Sequence, residues 1–257
     1  MRLSRLLPLA AVSAVAATAA IPAPGAVAAA RTTTTDYTLT RAFDALTGQQ
    51  QTVRWAPCMR YNGTRHANVI DYKINAAGRQ RRVRLVKRAV RRVHRATGLT
   101  FHYAGSTSYI PHAVNGVLQA AEQKKQTHVR FVVAWAFMGT GSNASNLLTG
   151  TEQGVGTIRW ASSPTSQLRV TDAALVMKRG AHLRAGFLAG GSEGTLLLHE
   201  LGHTVGLQHV DDPTQIMHAV LGAQSPSTYA PGDRAGLTRV GATQGCMTGK
   251  TMPPSNG

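Results

Sequence analysis

Three histidines and one glutamate fall within the segment HELGHTVGLQH, which runs from residue 199 to residue 209. In a helix, His199 and His203 lie one turn apart on the same face, the separation that two ligands of one metal ion need. Gly206 can adopt a positive φ, so it can end the helix and turn the chain back to bring His209 round as a third ligand. Three neutral imidazoles that leave a fourth position open to water are typical of a catalytic zinc site. The segment therefore predicts one catalytic Zn²⁺ bound by His199, His203 and His209.

Glu200 follows the first of these histidines, where a hydrolytic site needs a general base. Zinc lowers the pKa of water and polarises a carbonyl group that approaches it. A carboxylate at this position can accept the proton of the attacking water and pass it to the departing amine. The residues thus predict metal-assisted hydrolysis of peptide bonds without a covalent intermediate.

The segment resembles the zinc site of the metzincin metallopeptidases, and most closely that of the matrixin branch. The resemblance rests on HELGHTVGLQH, on the Asp-Pro pair that follows, and on Ile216-Met217 in the place of the Met-turn. It implies a zincin-like α/β (α+β) catalytic domain, with a twisted mixed sheet of about five strands, two long helices and a short C-terminal helix. It also implies a zinc metalloendopeptidase that acts on peptide or protein substrates, with Met217 as an apolar floor beneath the metal.

The chain departs from the matrixin pattern directly after Met217. Matrixins continue with a Tyr-Pro pair that walls the pocket for the residue after the cut, whereas His218-Ala219-Val220 follow here. The resemblance therefore implies no side-chain preference for this protein. His218 could face the site and assist the oxyanion, or it could be a surface or packed residue.

Periodicity and turn residues predict the elements that must position this site. The sequence predicts five strands, at Val69–Asn75, Leu99–Tyr103, Val129–Trp135, Val155–Trp160 and Arg169–Met177. Valines at three- and four-residue steps predict an amphipathic helix over 79–97, which Gly98 ends. The helix that carries the histidines begins after Ser192 or, alternatively, at Thr195, and a short closing helix covers 232–240.

The strand before the fifth is the candidate for pairing with an extended substrate, by its position and by the resemblance. An edge strand offers unpaired N–H and C=O groups to a peptide. The candidate positions are Val155, Gly156, Thr157 and Ile158. The alternative is that this strand is a paired interior strand.

The N-terminal residues predict that the protein is exported. Residues 1–30 open with Arg2 and Arg5, continue with an apolar run and reach a small-residue cleavage site at residues 26–28, which is the pattern of a secretory signal peptide. A membrane anchor is the alternative, although prolines interrupt the run, and no later stretch is long and apolar enough to span a bilayer. We expect a secreted, extracellular protein in which residues 31–52 form a linker or short pro-segment and residues 53–257 form the catalytic domain.

The two cysteines are Cys58 and Cys246. In an exported protein an even pair is most simply one disulfide bond. The alternative that the resemblance offers is that Cys58 is a latency thiol that caps the zinc, although its context, WAPCMRY, differs from the PRCGxPD of matrixin pro-segments.

The chain has a formal net charge of +17, which falls to +15 without Arg2 and Arg5. So large an excess favours anionic partners such as charged cell-envelope polymers. Arg84, Arg88 and Arg92 recur on one face of the predicted basic helix, either as a binding surface or as a solvated face. No aromatic residue interleaves with them, so specific nucleic-acid recognition is not indicated. The alternative function is a non-catalytic, cationic envelope- or polyanion-binding protein on a zincin scaffold, and we expect a monomer in either case.

Overall fold

One mixed sheet carries the strands that the apolar runs of the sequence predict. The computed structural model describes residues 15–19, 36–45, 47–56, 69–121, 129–162 and 167–247. The strands of these residues are β1 (Val15–Ala19), β2 (Thr38–Leu39), β3 (Arg41–Phe43), β4 (Gln50–Thr52), β5 (Val69–Asn75), β6 (Thr100–Ser106), β7 (His112–Val114), β8 (Val117–Gln119), β9 (Phe131–Met138), β10 (Ala144–Ser145), β11 (Gly154–Ser162), β12 (Leu168–Lys178), β13 (Leu207–Gln208) and β14 (Val220–Leu221). The helices are α1 (Gln80–Thr97), α2 (Glu193–Val205) and α3 (Pro231–Val240), followed by a 3-10 turn at Ala242–Gln244.

The strand order in the main sheet is β14-β1-β11-β12-β9-β5-β6, and β10 pairs with β9. The β11–β12 pair is antiparallel, whereas β12–β9, β9–β5 and β5–β6 are parallel. Strand β12 is buried over 168–177, and its continuous apolar run at 173–177 is typical of a strand covered on both faces. The five predicted strands are β5, β6, β9, β11 and β12, and the predicted mixed α/β architecture is confirmed.

Helix α1 forms because its apolar residues recur along one face. Val83, Val86, Val90 and Val93 are buried against the sheet and α2, while most of the arginines of the helix are exposed and Arg82 is buried. Gly98 ends the helix with φ 70°, the left-handed conformation in which its N–H reaches the carbonyl of His94. The predicted helix is confirmed, with its first residue at Gln80.

Helix α2 begins at Glu193 with a reciprocal cap, so the alternative start at Thr195 is wrong. The Thr195 N–H donates to Ser192 Oγ at 3.2 Å, and the Ser192 N–H donates to Thr195 Oγ1 at 2.7 Å. All 13 residues of α2 are buried, because the helix lies between β11, β12, α1 and the loops that follow it.

Short elements that the sequence analysis did not predict surround this frame. Strand β2 pairs with β13, directly after the end of α2, and β3 pairs with β4. Strands β2, β3 and β4 lie within residues 31–52, the segment predicted as a linker or pro-segment. The boundary between this segment and the catalytic domain stays a prediction. A further hairpin joins β7 and β8.

Cys58 lies outside the described residues, so the disulfide to Cys246 stays a prediction. The described residues on either side nevertheless meet: the Arg54 guanidinium donates to the Gly245 carbonyl at 3.0 Å, and Ala56 packs against Met247. The predicted cleavage site at residues 26–28 also lies outside the described residues. Among the helices that the structure describes, none is long and apolar enough to cross a membrane.

Candidate active site

The side chains of His199, His203 and His209 converge on one point. Their Nε2 atoms lie 3.1 Å (His199 to His203), 3.1 Å (His199 to His209) and 3.2 Å (His203 to His209) apart. Helix α2 sets the first two one turn apart. Gly206 then turns the chain with φ 109°, a conformation that strongly favours glycine, and brings His209 to the other two.

Backbone carbonyls fix the orientation of two of these rings. His199 Nδ1 lies 2.7 Å from the Ile216 carbonyl, and His203 Nδ1 lies 2.9 Å from the Leu207 carbonyl. A carbonyl can only accept, so each Nδ1 carries the proton and each Nε2 presents a lone pair. Burial lowers the pKa of His199 to about 3 and holds that of His203 well below its usual value, so both rings are neutral.

These residues fit a zinc ion. Nitrogen ligands at about 2.0–2.1 Å from a tetrahedral zinc lie about 3.3–3.4 Å apart, close to the observed separations. The Nε2 lone pairs of His199 and His203 face each other in a buried site with no proton between them, so they would repel each other. A cation bound between them removes this repulsion. Among the described residues, this triad is the cluster of side chains that could hold a metal ion.

Glu200 is the second feature of the site. The residue is fully buried, and neither carboxylate oxygen has a hydrogen-bonding partner of normal geometry. Burial raises the pKa of Glu200 well above its usual value, the Gly156 N–H opposes this rise, and the negative charge of Glu152 adds to it. A raised pKa suits a carboxyl group that must both accept a proton and give it up.

Two glycines of β11 allow this strand to lie directly on α2. A Cβ on Gly156 would lie 2.1 Å from the backbone oxygen of Glu200, and a Cβ on Gly154 would lie 3.0 Å from Glu200 Oε1. Only glycine fits at 156, and the strand backbone therefore runs next to the candidate base. The four predicted substrate-strand positions, Val155 to Ile158, all belong to β11 and are buried.

Strand β11 is paired on both sides in this structure, and β1 fills a space one strand wide between β11 and β14. β12 pairs with one side of β11, and β1, which belongs to the predicted signal peptide, pairs with the other. The backbone of β1 is antiparallel to β11 (Val15 opposite Gly156, Ala17 opposite Gly154) and then parallel to β14 (Thr18 opposite Val220). Without residues 15–19, β11 is an edge strand, and β14 lies about 9.5 Å away, two strand spacings across the gap.

Met217 lies against helix α2 at Gly202, the residue before His203. It is buried, and a Cβ on Gly202 would lie 2.3 Å from its sulfur atom, so the glycine permits this close contact. His218 is half-buried and packs locally, with Nδ1 2.8 Å from the Val220 carbonyl. Burial is the main cause of the lowered pKa of His199 and of His209, and His218 contributes to the lowering of both.

The sequence analysis missed one residue that supports the site. Asp233, in the first turn of α3, accepts hydrogen bonds from the N–H groups of Ile216 (2.9 Å), Met217 (3.0 Å) and Ala230 (2.7 Å). The Ile216 carbonyl is the group that orients His199. Burial raises the pKa of Asp233, and its three N–H donors oppose the rise. An acidic residue in the first turn of a helix reads as an ordinary dipole contact, so the sequence held no signal for this role.

Two of the three arginines of the basic face of α1, Arg88 and Arg92, contact the loops around α2 and are not simply solvated. The guanidinium carbons of Arg88 and Arg92 lie 5.3 Å and 3.9 Å from the ring centre of Phe187, and Arg92 also donates to the Ser227 carbonyl at 2.8 Å. The aromatic ring comes from the loop before α2, which is why neighbouring positions in the sequence did not reveal it.

Two comparisons with known proteins bear on this site. A protein-family model described as matrixin matches residues 64–240, more than half of the chain and a range that contains all three histidines and Met217. No curated protein matches the chain.

Proposed function

We propose that this chain, which belongs to the matrixin family of zinc metallopeptidases, is a zinc-dependent endopeptidase in which Glu200 is the general base. The observation that carries the proposal is that Glu200, a buried carboxylate without a hydrogen bond of normal geometry, directly follows a histidine of the convergent triad in α2. The family match gives no support to the non-catalytic alternative.

Different residues of the chain have different roles in the proposed hydrolysis. His199, His203 and His209 would hold one zinc ion, which would supply a Lewis acid and lower the pKa of water. Glu200 accepts the proton of the attacking water at its carboxylate, whose oxygens make no hydrogen bond of normal geometry, and then donates this proton to the departing amine. Exclusion of bulk water around this buried group strengthens its interaction with the developing charges.

The space between β11 and β14 supports an extended peptide as the substrate. If a substrate takes the place of β1, its residues before the cut would run antiparallel to Gly154–Gly156, and its residues after the cut would run parallel to Val220–Leu221. We infer that residues 155–158 pair with the substrate in this way once residues 15–19 are removed.

The proposal also includes secretion of the enzyme and a disulfide bond between Cys58 and Cys246. A signal peptide at residues 1–30 would deliver the enzyme outside the cell, where a Cys58–Cys246 disulfide can form. The contacts of Arg54 and Ala56 with residues 245 and 247 support this pairing. The N-terminal sequence and the unreduced mass of the secreted protein test both points, and a mature chain that starts at Met1 or retains two thiols contradicts them.

The experiment that tests the function combines metal analysis with peptide cleavage. Secreted wild-type protein is expected to contain about one zinc per chain and to cut members of a diverse peptide library, read by mass spectrometry, with cleavage lost on chelation and restored by zinc. The Glu200→Ala variant is expected to keep its fold and its zinc but to cleave about 10²–10⁴-fold more slowly, the usual contribution of a general base.

Asp211→Asn is the matched control, since Asp211 is an exposed carboxylate two residues beyond His209. It should cleave at the wild-type rate. Full activity in Glu200→Ala would refute the assigned base, and zinc-loaded wild-type protein without any chelator-sensitive cut would refute the peptidase.

A further inference from the structure

A cavity of about 230 Å³ lies where the first turns of α1 and α2 meet the C-terminal parts of β9 and β12. It does not include any residue of the zinc site. Glu193, which lines the cavity, precedes His199 by six residues, or about 9 Å along α2. The cavity is therefore a separate feature at the other end of the catalytic helix.

Positive charge dominates this cavity. Arg79, Arg81, Arg82 and Lys178 line it, and Glu193 is the one carboxylate among its lining residues. Glu193 is already engaged, because Arg81 Nη1 lies 3.0 Å and Arg82 Nε 3.6 Å from its two oxygens. At least three positive charges in the cavity are thus left without a matching carboxylate there.

Arg82 is the buried member of this group, with 8% of its surface exposed. Its guanidinium carbon lies 4.7 Å from the ring centre of Trp135, and Nη1 donates to the Ala76 carbonyl at 3.3 Å. Its Nε has no hydrogen-bond acceptor. Burial lowers the pKa of Arg82 to about 10, Glu193 opposes this, and Arg79, Arg81 and Arg179 lower it further. A buried guanidinium with one N–H group that lacks a hydrogen-bond acceptor, and with several like charges around it, is stabilised by a further anion beside it.

The backbone at the start of α2 does not supply a binding group. The N–H groups of Glu193, Gly194 and Thr195 donate to the carbonyls of Arg184 and Gly186 and to Ser192 Oγ, respectively. Recognition in this cavity therefore depends on the arginine and lysine side chains.

We propose that this cavity binds a phosphate-type oxyanion, either free phosphate or a phosphate group of an anionic polymer. Guanidinium groups bind tetrahedral oxyanions through paired N–H donors, and lysine adds a point charge. The volume is below that of pockets for drug-sized ligands and suits one such group. The exposed arginines of α1 continue the positive surface away from the cavity, as a polymer would require.

The test is a calorimetric titration of the secreted protein with sodium phosphate at constant ionic strength, in a zinc-loaded sample. The Arg79→Gln/Lys178→Gln variant removes two charges from the rim without touching the Arg82–Glu193 pair. The matched control, Arg91→Gln/Arg95→Gln, removes two exposed charges from the same helix outside the cavity. Circular dichroism and the melting temperature check that both variants fold.

We expect saturable binding of phosphate that weakens about tenfold or more in the cavity variant and stays within about twofold of wild type in the control. A second titration with long-chain polyphosphate separates the two sources. A polymer ligand predicts binding tighter than that of free phosphate, weakened most by the cavity variant. No saturable phosphate binding to wild type, or equal weakening in both variants, overturns the proposal, and neither result bears on peptide cleavage.

Discussion

The two long helices pack against the same sheet but bury their residues in different ways. Helix α1 has 18 residues, eight of them buried, and its apolar stripe accounts for its position. Helix α2 has 13 residues, all buried, among them the polar side chains of Thr195, His199, Glu200 and His203. Burial of a polar group costs free energy unless it gains a partner, so each of these side chains in α2 requires an explanation.

Most of the buried polar groups of α2 have structural partners. Thr195 closes the helix cap, Thr204 Oγ1 donates to the Leu201 carbonyl at 2.8 Å, and the two histidines donate to loop carbonyls. In α2, Glu200 is the residue whose side-chain oxygens both lack a hydrogen bond of normal geometry. The other buried polar groups of α2 hold the helix in place, whereas the proposed role as a general base accounts for the burial of Glu200.

The first prediction is that one substitution in the neighbouring strand β11 disrupts the packing of α2. In Gly156→Ala, the new Cβ would lie 2.1 Å from the Glu200 backbone oxygen, so β11 and α2 must separate. We expect a loss of about 3 kcal/mol in the free energy of unfolding, measured in urea, and loss of cleavage because Glu200 moves. Gly222→Ala is the control, since a Cβ there meets nothing within 4 Å. Equal stability of the two variants would show that α2 is not closely packed against β11.

The second prediction concerns Asp233, which holds the loop whose Ile216 carbonyl orients His199. Asp233→Asn replaces one acceptor oxygen by an NH2 group that faces backbone donors. We expect the free energy of unfolding to fall by about 2 kcal/mol, because buried N–H groups of the Met-turn lose their partner. Zinc affinity, measured by competition with a chromogenic chelator, should fall about 10–100-fold, since the Ile216 carbonyl that orients His199 is no longer fixed. Loss of stability with unchanged zinc affinity would limit Asp233 to a structural role.

The contrast between α1 and α2 also shows which elements and site residues could be predicted from the sequence. The apolar period of α1, the alternation in VIDYKIN and the apolar run of β9 each repeat a signal over many residues, so these elements were predictable. The triad was predictable because helical geometry fixes His199 and His203, and Gly206 fixes the turn. Strands β2 and β14 have two residues each, too few to show a period. The role of Asp233 depends on how α3 packs on the Met-turn, which no local pattern records.

The last prediction tests whether the outer face of α1 is only solvated. Arg92 lies 3.9 Å from the Phe187 ring centre and donates to the Ser227 carbonyl, whereas Arg84, on the same face, is exposed and makes neither contact. Arg92→Gln should lower the free energy of unfolding by about 1 kcal/mol, through the lost cation–π contact and hydrogen bond. Arg84→Gln should change it by less than about 0.5 kcal/mol. A double-mutant cycle with Phe187→Leu isolates the ring contact, because Arg92→Gln then costs less when the ring is absent. If the two arginine variants are equally stable, the face is a solvated surface; if they differ as expected, α1 also anchors the loop that leads into the catalytic helix.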